Sequence, residues 1–259
     1  MAIGRAFRGG VMTYAVQRAM AWCGLAVIVL TFAGFTVARL FPVPPGANLS
    51  TKQIAEFYSA HPTTTRLGLL LAAIGLGFLG PIVALITTQM LRIESAPPAL
   101  ANLQQIGGIC VVIVTVLPLI VMNVAAFRPD RDPAVIQAIN DLAWLLLVTP
   151  IGLFFLQEIP IAVAILMDRT AHPVFPRWVG YANIWIPLTF LPAFFPYFAK
   201  TGPVAWQGLL VFYLGLATFG IWVLIMMWAL LRALRQQEKE AGAPAVSPCS
   251  PGLVHDSVS

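Results

Sequence analysis

The chain has 259 residues, of which 59% are hydrophobic and only 10% are charged. A soluble domain carries roughly 25% charged residues, so this composition excludes a water-exposed surface of ordinary extent. The formal net charge of +5 fits the surplus of Lys and Arg in the cytoplasmic loops of membrane proteins, and we expect no nucleic-acid partner. One bilayer crossing needs roughly 20 apolar residues, so the length favours several crossings, with the lipid bilayer as the main partner.

Six apolar stretches separated by short polar segments predict six transmembrane helices, because each stretch is near or above the length that a crossing needs. They lie at 20–40, 67–91, 104–127, 142–167, 178–199 and 204–231. The predicted fold class is therefore all-α, a polytopic transmembrane helix bundle that occupies residues 1–236. Residues 237–259 are rich in Ala, Pro and Ser and predict a disordered cytoplasmic tail.

The distribution of Lys and Arg between the connecting segments predicts the orientation of the bundle. Nine of the 15 basic residues fall in segments on the same side of the membrane as the N-terminus, and the others fall on the opposite side. Cytoplasmic loops carry the excess of basic residues in membrane proteins. We therefore expect both termini to be cytoplasmic.

The first outer loop contains the start of a short helix. Ser50 and Gln53 have the spacing of a capping box, in which each side chain bonds to the backbone N–H of the other residue. The residues that follow place Ile54, Phe57 and Tyr58 on one face. This pattern predicts an amphipathic helix at 50–60 that lies on the outer membrane interface.

Histidine is absent from all six predicted spans, since His61, His172 and His255 fall in connecting segments or in the tail. Haem, copper and iron sites in membrane enzymes need histidine or several carboxylates as ligands. The three cysteines form neither a CxxC pair nor a zinc-like spacing. We therefore expect no cofactor and no metal site, and the sequence favours a protein that is not an enzyme.

Glu158 is the one acidic residue deep inside a predicted span, roughly 14 Å from the inner end of span four. An ionised carboxylate is costly at that depth, so its side chain should face the bundle interior or a wet cavity. Pro150 and Pro160 each remove a backbone donor near it, and Gln157 adds a second polar group. The carboxyl either binds a cation or carries a proton, or it is protonated and hydrogen-bonded to a neighbouring helix as a packing contact.

Other polar residues lie at similar depth in spans two, three and five, and together with Glu158 they could form a binding pocket that faces the cytoplasm. The candidate binding residues are Glu158, Gln157, Asn183, Trp185, Thr88 and Gln105. Alternatively, these polar residues are ordinary side chains near the ends of membrane helices.

Span five is rich in aromatic residues and is interrupted by Pro187, Pro192 and Pro196. The prolines predict a kinked or discontinuous helix of the kind that lines substrate sites in transporters. Aromatic side chains such as Trp185 could then form the wall of a cavity for a small hydrophobic ligand. Alternatively, the aromatic residues face lipid and form belts at the two interfaces.

Four short patches are spread over most of the chain. They are Ala60-His61-Pro62-x-x-x-Arg66-Leu67-Gly68, Phe127-Arg128-Pro129-Asp130-Arg131, Phe175-Pro176-Arg177-Trp178-x-Gly180-Tyr181 and Lys200-Thr201-Gly202-Pro203-x-Ala205-Trp206. In these patches the chain resembles a group of uncharacterised multi-pass membrane proteins that are common in actinobacteria. The resemblance implies a six-span topology and a bacterial cytoplasmic membrane, and it implies no particular activity.

Three functions from different classes remain open. Binding or transport of a small, largely apolar molecule, with protonation of Glu158, is favoured by that carboxyl and by the proline-interrupted spans four and five. A non-catalytic subunit of a larger membrane complex, with membrane-protein partners or further copies of the chain, is favoured by the short loops and the lack of a catalytic motif. A third hypothesis is an intramembrane enzyme that uses Glu158 with His172.

Overall fold

The computed structural model describes residues 2–242, and these residues form helices joined by short connections, with no strand among them. The α-helices are α1 (Ala2–Val37), α2 (Thr51–Ala60), α3 (Pro62–Gly77), α4 (Leu79–Met90), α5 (Pro98–Phe127), α6 (Pro133–Val148), α7 (Gly152–Met167), α8 (Arg177–Leu188) and α9 (Leu214–Gly242). A 3₁₀ segment at Leu191–Tyr197 follows α8, and a π-helical turn at Leu209–Tyr213 precedes α9.

Among the described residues, six stretches are long and apolar enough to cross a membrane, which confirms the number of predicted spans. They are Thr13–Val37, Pro62–Met90, Pro98–Phe127, Pro133–Met167, Arg177–Tyr197 and Leu209–Ala241. Helix α9 continues through Gly242, so the first residues of the predicted tail are helical. The rest of that tail, 243–259, lies outside the described residues, and His255 lies there with it.

Among the described residues, three of the six spans are interrupted, and a fourth begins irregularly. Span two bends at Phe78 between α3 and α4, and span four breaks at 149–151 between α6 and α7. Span five passes from α8 into its 3₁₀ segment, and span six begins with its π-helical turn. Proline explains the break in span four, because Pro150 has no N–H with which to continue the hydrogen-bond pattern of α6.

Helices α1 and α3 pack closely through glycine. A Cβ atom added at Gly34 would lie 2.4 Å from the backbone N of Ala72, and one at Gly68 would lie 2.2 Å from the backbone N of Ala38. No side chain fits at such distances, so the two backbones touch directly. Small residues at a crossing are a common way for membrane helices to approach each other. Around this pair, α5 packs against α3, α4, α6 and α7, and α9 packs against α1.

Helix α2 has the predicted capping box but a different environment from the predicted one. Ser50 Oγ accepts from the Gln53 N–H, and Gln53 Oε1 accepts from the Ser50 N–H at 2.9 Å. The apolar face does not lie on lipid: Ile54 and Tyr58 are buried where α2 packs against α6. The Tyr58 hydroxyl donates to Asn140 Oδ1 of α6 at 3.0 Å. The helix therefore belongs to the protein core at one end of the bundle, opposite the end that carries the termini.

Candidate functional site

A cavity of about 110 Å³ lies near the middle of the bundle, and all six spans contribute to its wall. The wall is formed by Thr31 and Phe35 from span one, Leu76 from span two, Thr115 from span three, Leu147, Val148, Ile151 and Phe154 from span four, Phe190 and Ala193 from span five, and Leu210, Val211, Phe212, Gly215, Leu216 and Phe219 from span six. Only two of these side chains carry a polar atom, both of them threonine hydroxyls. The central cavity is therefore almost entirely apolar.

The breaks in spans four and five and the π-helical turn of span six meet at this cavity. Val148 and Ile151 flank the break in span four, Phe190 lies two residues after the end of α8, and Phe212 belongs to the π-helical turn. Irregular backbone is tolerated at membrane depth only where it is buried in protein or lines a cavity. The breaks and the central cavity are thus one structural feature.

Aromatic rings close the cavity at both ends. Toward the termini, the ring of Phe154 lies 4.8 Å from that of Phe190 and 6.4 Å from that of Phe219, measured between centroids. Toward α2, the ring of Phe212 lies 5.9 Å from that of Trp144 in an edge-to-face contact. Such aromatic contacts each contribute about 0.5–1.5 kcal/mol beyond the area they bury, so the two ends of the cavity are firmly packed.

Glu158 lies inside the bundle, close to the cavity but outside its wall. Its side chain is 2% exposed, and its Oε2 atom has no hydrogen-bond partner among the described residues. Residues four apart share one face of a helix, so Glu158 follows the wall residue Phe154 by one turn, about 6 Å toward the termini. The adjacent Gln157 lies where α7 touches α5, since a Cβ added at Gly107 would be 2.7 Å from the Gln157 backbone N.

The six candidate binding residues do not form one pocket. Only Gln157 and Glu158 are neighbours in the chain and buried together, whereas Trp185 is 68% exposed and Thr88 is also exposed on the outside of the bundle. Gln105 is half-buried. Depth in the membrane was the basis for grouping these residues, and depth does not determine the direction in which a helix side chain points.

Asn183 is buried but already has hydrogen-bond partners. Its Nδ2 donates to the Val179 carbonyl at 2.8 Å, and its Oδ1 accepts from Trp222 Nε1 at 2.9 Å. The first bond lies within α8, and the second joins α8 to α9. Asn183 therefore acts as a packing contact between two membrane helices rather than as a free binding group.

Polar residues near the ends of spans two and three also pair with neighbouring helices. Gln104 Nε2 donates to the Val83 carbonyl at 3.2 Å. Gln89 Nε2 lies within hydrogen-bond distance of Gln17 Oε1 at 3.3 Å and of Gln237 Oε1 at 3.2 Å. These bonds connect helices at the end of the bundle that carries the termini. They fit the alternative interpretation, in which such residues are ordinary interhelical contacts.

The aromatic residues of span five lie mostly on the outside of the bundle, as the lipid-facing alternative expects. The exposed ones are Trp178, Tyr181, Trp185, Phe194, Phe195, Tyr197 and Phe198. Phe190 is the exception, with 8% exposure and a place on the cavity wall. One aromatic residue of span five, rather than the whole set, lines a cavity.

The intramembrane enzyme hypothesis needs Glu158 and His172 to act together, and the structure keeps them apart. His172 is exposed in the loop between α7 and α8, whereas Glu158 is buried nine residues before the end of α7 at Met167. That separation is about 14 Å along the helix axis. Among residues 2–242, no group of three or more His, Cys, Asp or Glu side chains could hold a metal ion.

Sequence reasoning identified the breaks in spans four and five but missed most of the cavity wall. Spans one, two, three and six contribute ordinary apolar residues such as Phe35, Leu76 and Phe219, whose types are common throughout membrane helices. The π-helical turn at Leu209–Tyr213 has no proline to mark it. The available signal was Pro150, which marks the position in span four where the cavity lies.

No protein-family model, no curated protein and no solved structure matches the chain. The function of the central cavity therefore has to be argued from its own geometry.

Proposed function

We propose that this integral membrane protein binds a small, largely apolar molecule in the central cavity. One observation carries the proposal: every span contributes to an apolar cavity at the point where spans four and five are interrupted and span six begins with a π-helical turn. Ligand sites in transporters commonly lie near the bilayer midplane between discontinuous helices. Interruption of a helix costs hydrogen bonds in lipid, so two interruptions at one cavity favour a role for that cavity.

The size of the cavity limits the ligand. An engineered protein cavity of 150 Å³ with aliphatic and aromatic walls stays dry and binds benzene or xenon. At about 110 Å³, the central cavity suits a molecule no larger than a small ring. Wall residues of spans four and six, including Val148, Phe154 and Leu210, are only half-buried, which leaves them accessible to a small molecule.

We further propose that the protein transports this molecule and that Glu158 carries a proton or binds a cation during transport. The support is the unpartnered Oε2 atom of Glu158 and its place one helical turn from Phe154 on the cavity wall. Carboxyl groups inside membrane proteins commonly serve proton or ion pathways. A neutral, protonated carboxyl is the form that such a buried position tolerates at rest.

For the orientation, we infer that both termini face the cytoplasm and that the chain resides in a bacterial cytoplasmic membrane. The first inference is supported by the nine of 15 basic residues on the side of the termini. The second is supported by the resemblance of the four sequence patches to bacterial multi-pass proteins.

A cavity-filling variant tests the binding proposal. Gly215 lies on the cavity wall, and a Cβ added there would make an ordinary contact with Phe190 Cδ1 at 3.9 Å. Gly215→Leu therefore places a side chain in the cavity without a backbone clash. Gly80→Leu is the matched control, because a Cβ added at Gly80 meets nothing within 4 Å. Thermal unfolding of the purified full chain in detergent is measured with and without benzene or cyclopentane.

We expect these ligands to raise the Tm of the wild type and of Gly80→Leu. The Tm of Gly215→Leu should be the same with and without the ligand. A ligand at 100 times its Kd stabilises the folded state by about 2.7 kcal/mol, which is readily measured. An equal rise in all three proteins would show that the ligand binds elsewhere or acts on the detergent, and the proposal would be rejected.

A further inference from the structure

We infer that the molecule bound in the central cavity carries a hydroxyl group. This hydroxyl donates a hydrogen bond to free backbone carbonyls at the C-terminal ends of α6 and α8. The inference rests on the proposed function and names the ligand class more closely. The observations are the hydrogen bonds at the two helix ends and the fact that neither threonine hydroxyl of the cavity wall donates to those ends.

Helix α6 ends at the cavity with three carbonyls that have no helical partner. Thr149 is the last residue whose N–H bonds back into α6, to the Leu145 carbonyl at 3.0 Å. Pro150 has no N–H, so the carbonyl of Leu146 loses its donor four residues on. The Ile151 N–H bonds to the Thr149 carbonyl at 2.7 Å instead of continuing the helix. The carbonyls at 146–148 therefore end the helix unpaired, at the wall formed by residues 147 and 148.

Helix α8 ends in the same way. Pro192 stands four residues after Leu188 and has no N–H to donate to the Leu188 carbonyl. The Phe190 N–H bonds to the Pro187 carbonyl at 3.2 Å, so the chain tightens into a 3₁₀ turn beside the cavity. Phe190 itself lies on the cavity wall.

The two helix ends approach the cavity from opposite sides of the membrane. Span four runs from the α2 side toward the termini, and span five runs the other way. Helix carbonyls point toward the C-terminus, and the last turn carries a partial negative charge of roughly half an electron. Both partially negative ends therefore lie at one apolar cavity, where a donor group on a ligand is favoured.

The side chains of the cavity wall do not supply this donor. The Thr115 hydroxyl already donates to the Val111 carbonyl at 2.8 Å. The Thr31 hydroxyl is buried and has no hydrogen-bond partner among the described residues, so it donates to neither helix end. Unpaired carbonyls in an apolar medium raise the free energy of the protein. A ligand with a hydroxyl group can pair with these carbonyls and remove that cost, whereas a hydrocarbon ligand cannot. An ammonium group is disfavoured, because no carboxylate lies on the wall and an unpaired buried charge costs far more than one hydrogen bond contributes.

Three five-membered ring compounds of nearly equal size test the inference. Cyclopentanol donates and accepts hydrogen bonds, cyclopentanone only accepts them, and methylcyclopentane does neither. Their dissociation constants are obtained from the Tm of the purified full chain at increasing ligand concentration. Each value is compared between the wild type and the variants, so that partition of the ligand into detergent cancels.

Pro150→Ala restores an N–H that can donate to the Leu146 carbonyl, and Pro192→Ala does the same for the Leu188 carbonyl. Pro118→Ala is the matched control, since Pro118 also removes an N–H within a membrane helix, α5, but is not on the cavity wall. We expect the wild type and Pro118→Ala to bind cyclopentanol about fivefold more tightly than cyclopentanone, the gain from one hydrogen bond. At least one of the other two variants should lose most of that preference.

Equal affinity of the wild type for the alcohol and the ketone would overturn the inference, and water would then be the partner of the carbonyls. The proposed function would still stand. An alcohol preference that survives in both Pro150→Ala and Pro192→Ala would also overturn it. Failure of all three compounds to bind, together with no effect of Gly215→Leu, would instead reject the proposed function.

Discussion

Replacement of Glu158 by Met should make the protein more stable. The Glu158 side chain is 2% exposed, and its Oε2 atom has no hydrogen-bond partner. A buried polar group without a partner costs about 1–3 kcal/mol, and Met fills a similar unbranched volume with apolar atoms. For a chain of 150–250 residues, 1 kcal/mol corresponds to a Tm change of roughly 2–4 °C. We therefore expect the Tm of Glu158→Met to rise by roughly 2–12 °C.

Asn183→Leu is the contrasting variant. Asn183 is also buried in the bundle, but its amide is paired with Val179 and Trp222. Its loss leaves the Trp222 N–H buried without a partner, so this variant should lose about 1–3 kcal/mol. The assay is the thermal loss of helical circular dichroism for the purified full-length proteins in one detergent.

The two interpretations of Glu158 predict opposite signs in this assay. If Glu158→Met lowers the Tm as much as Asn183→Leu does, the carboxyl has a partner in the folded protein and is a packing contact. A rise in Tm would mean that the chain retains a destabilising group, which is typical of functional sites where activity is favoured over stability.

Two further predictions concern packing and pH. Gly68→Ala should lower the free energy of unfolding by about 1–3 kcal/mol, because its Cβ would lie 2.2 Å from the Ala38 backbone N. Gly77→Ala is the control and should be tolerated, because a Cβ there meets nothing within 4 Å. Equal Tm values for the two variants would contradict the α1–α3 crossing. Burial, and secondarily the charge of Asp141, raises the pKa of the Tyr58 phenol. Above about pH 10 the unfolded chain releases a proton that the folded chain keeps, so the stability from Tyr58 is present below that pH and is lost above it. Absorbance titration of tyrosinate should show Tyr58 ionising last, and an unchanged last phase in Tyr58→Phe would refute this.

The number of spans was predictable because the bilayer imposes a length that hydropathy reveals directly. The capping box at Ser50 was predictable because it depends only on local chemistry. The span boundaries differ in detail: the first candidate span begins at Thr13 rather than at residue 20, since the helix continues past the stretch of highest hydropathy. The environment of α2 was not predictable, because an apolar helix face gives no sign of whether protein or lipid will cover it.

The candidate site was predictable only where covalent structure disrupts a helix. Pro150 and Pro192 remove amide donors at the breaks in spans four and five. Pro118 and Pro160 remove donors too, yet α5 and α7 continue through them, so a proline marks a possible break and does not determine one. The direction of a side chain is a finer property, since one residue along a helix rotates it by about 100°. Thr88 and Trp185 have suitable depth but point outward, and Phe212 lines the cavity although nothing in the sequence distinguishes it.

The position of Glu158 relative to the cavity restricts how the two can be coupled. A molecule in the cavity meets Phe154, whose ring packs on Phe190 and Phe219, before it can reach the carboxyl one turn away. Coupling therefore has to pass through a movement of the Phe154 ring, and a ligand at rest does not contact Glu158 directly. It follows that Glu158→Met should leave the alcohol preference of the α6 end intact, since the carbonyls at 146–148 precede Phe154 in span four and the carboxyl follows it.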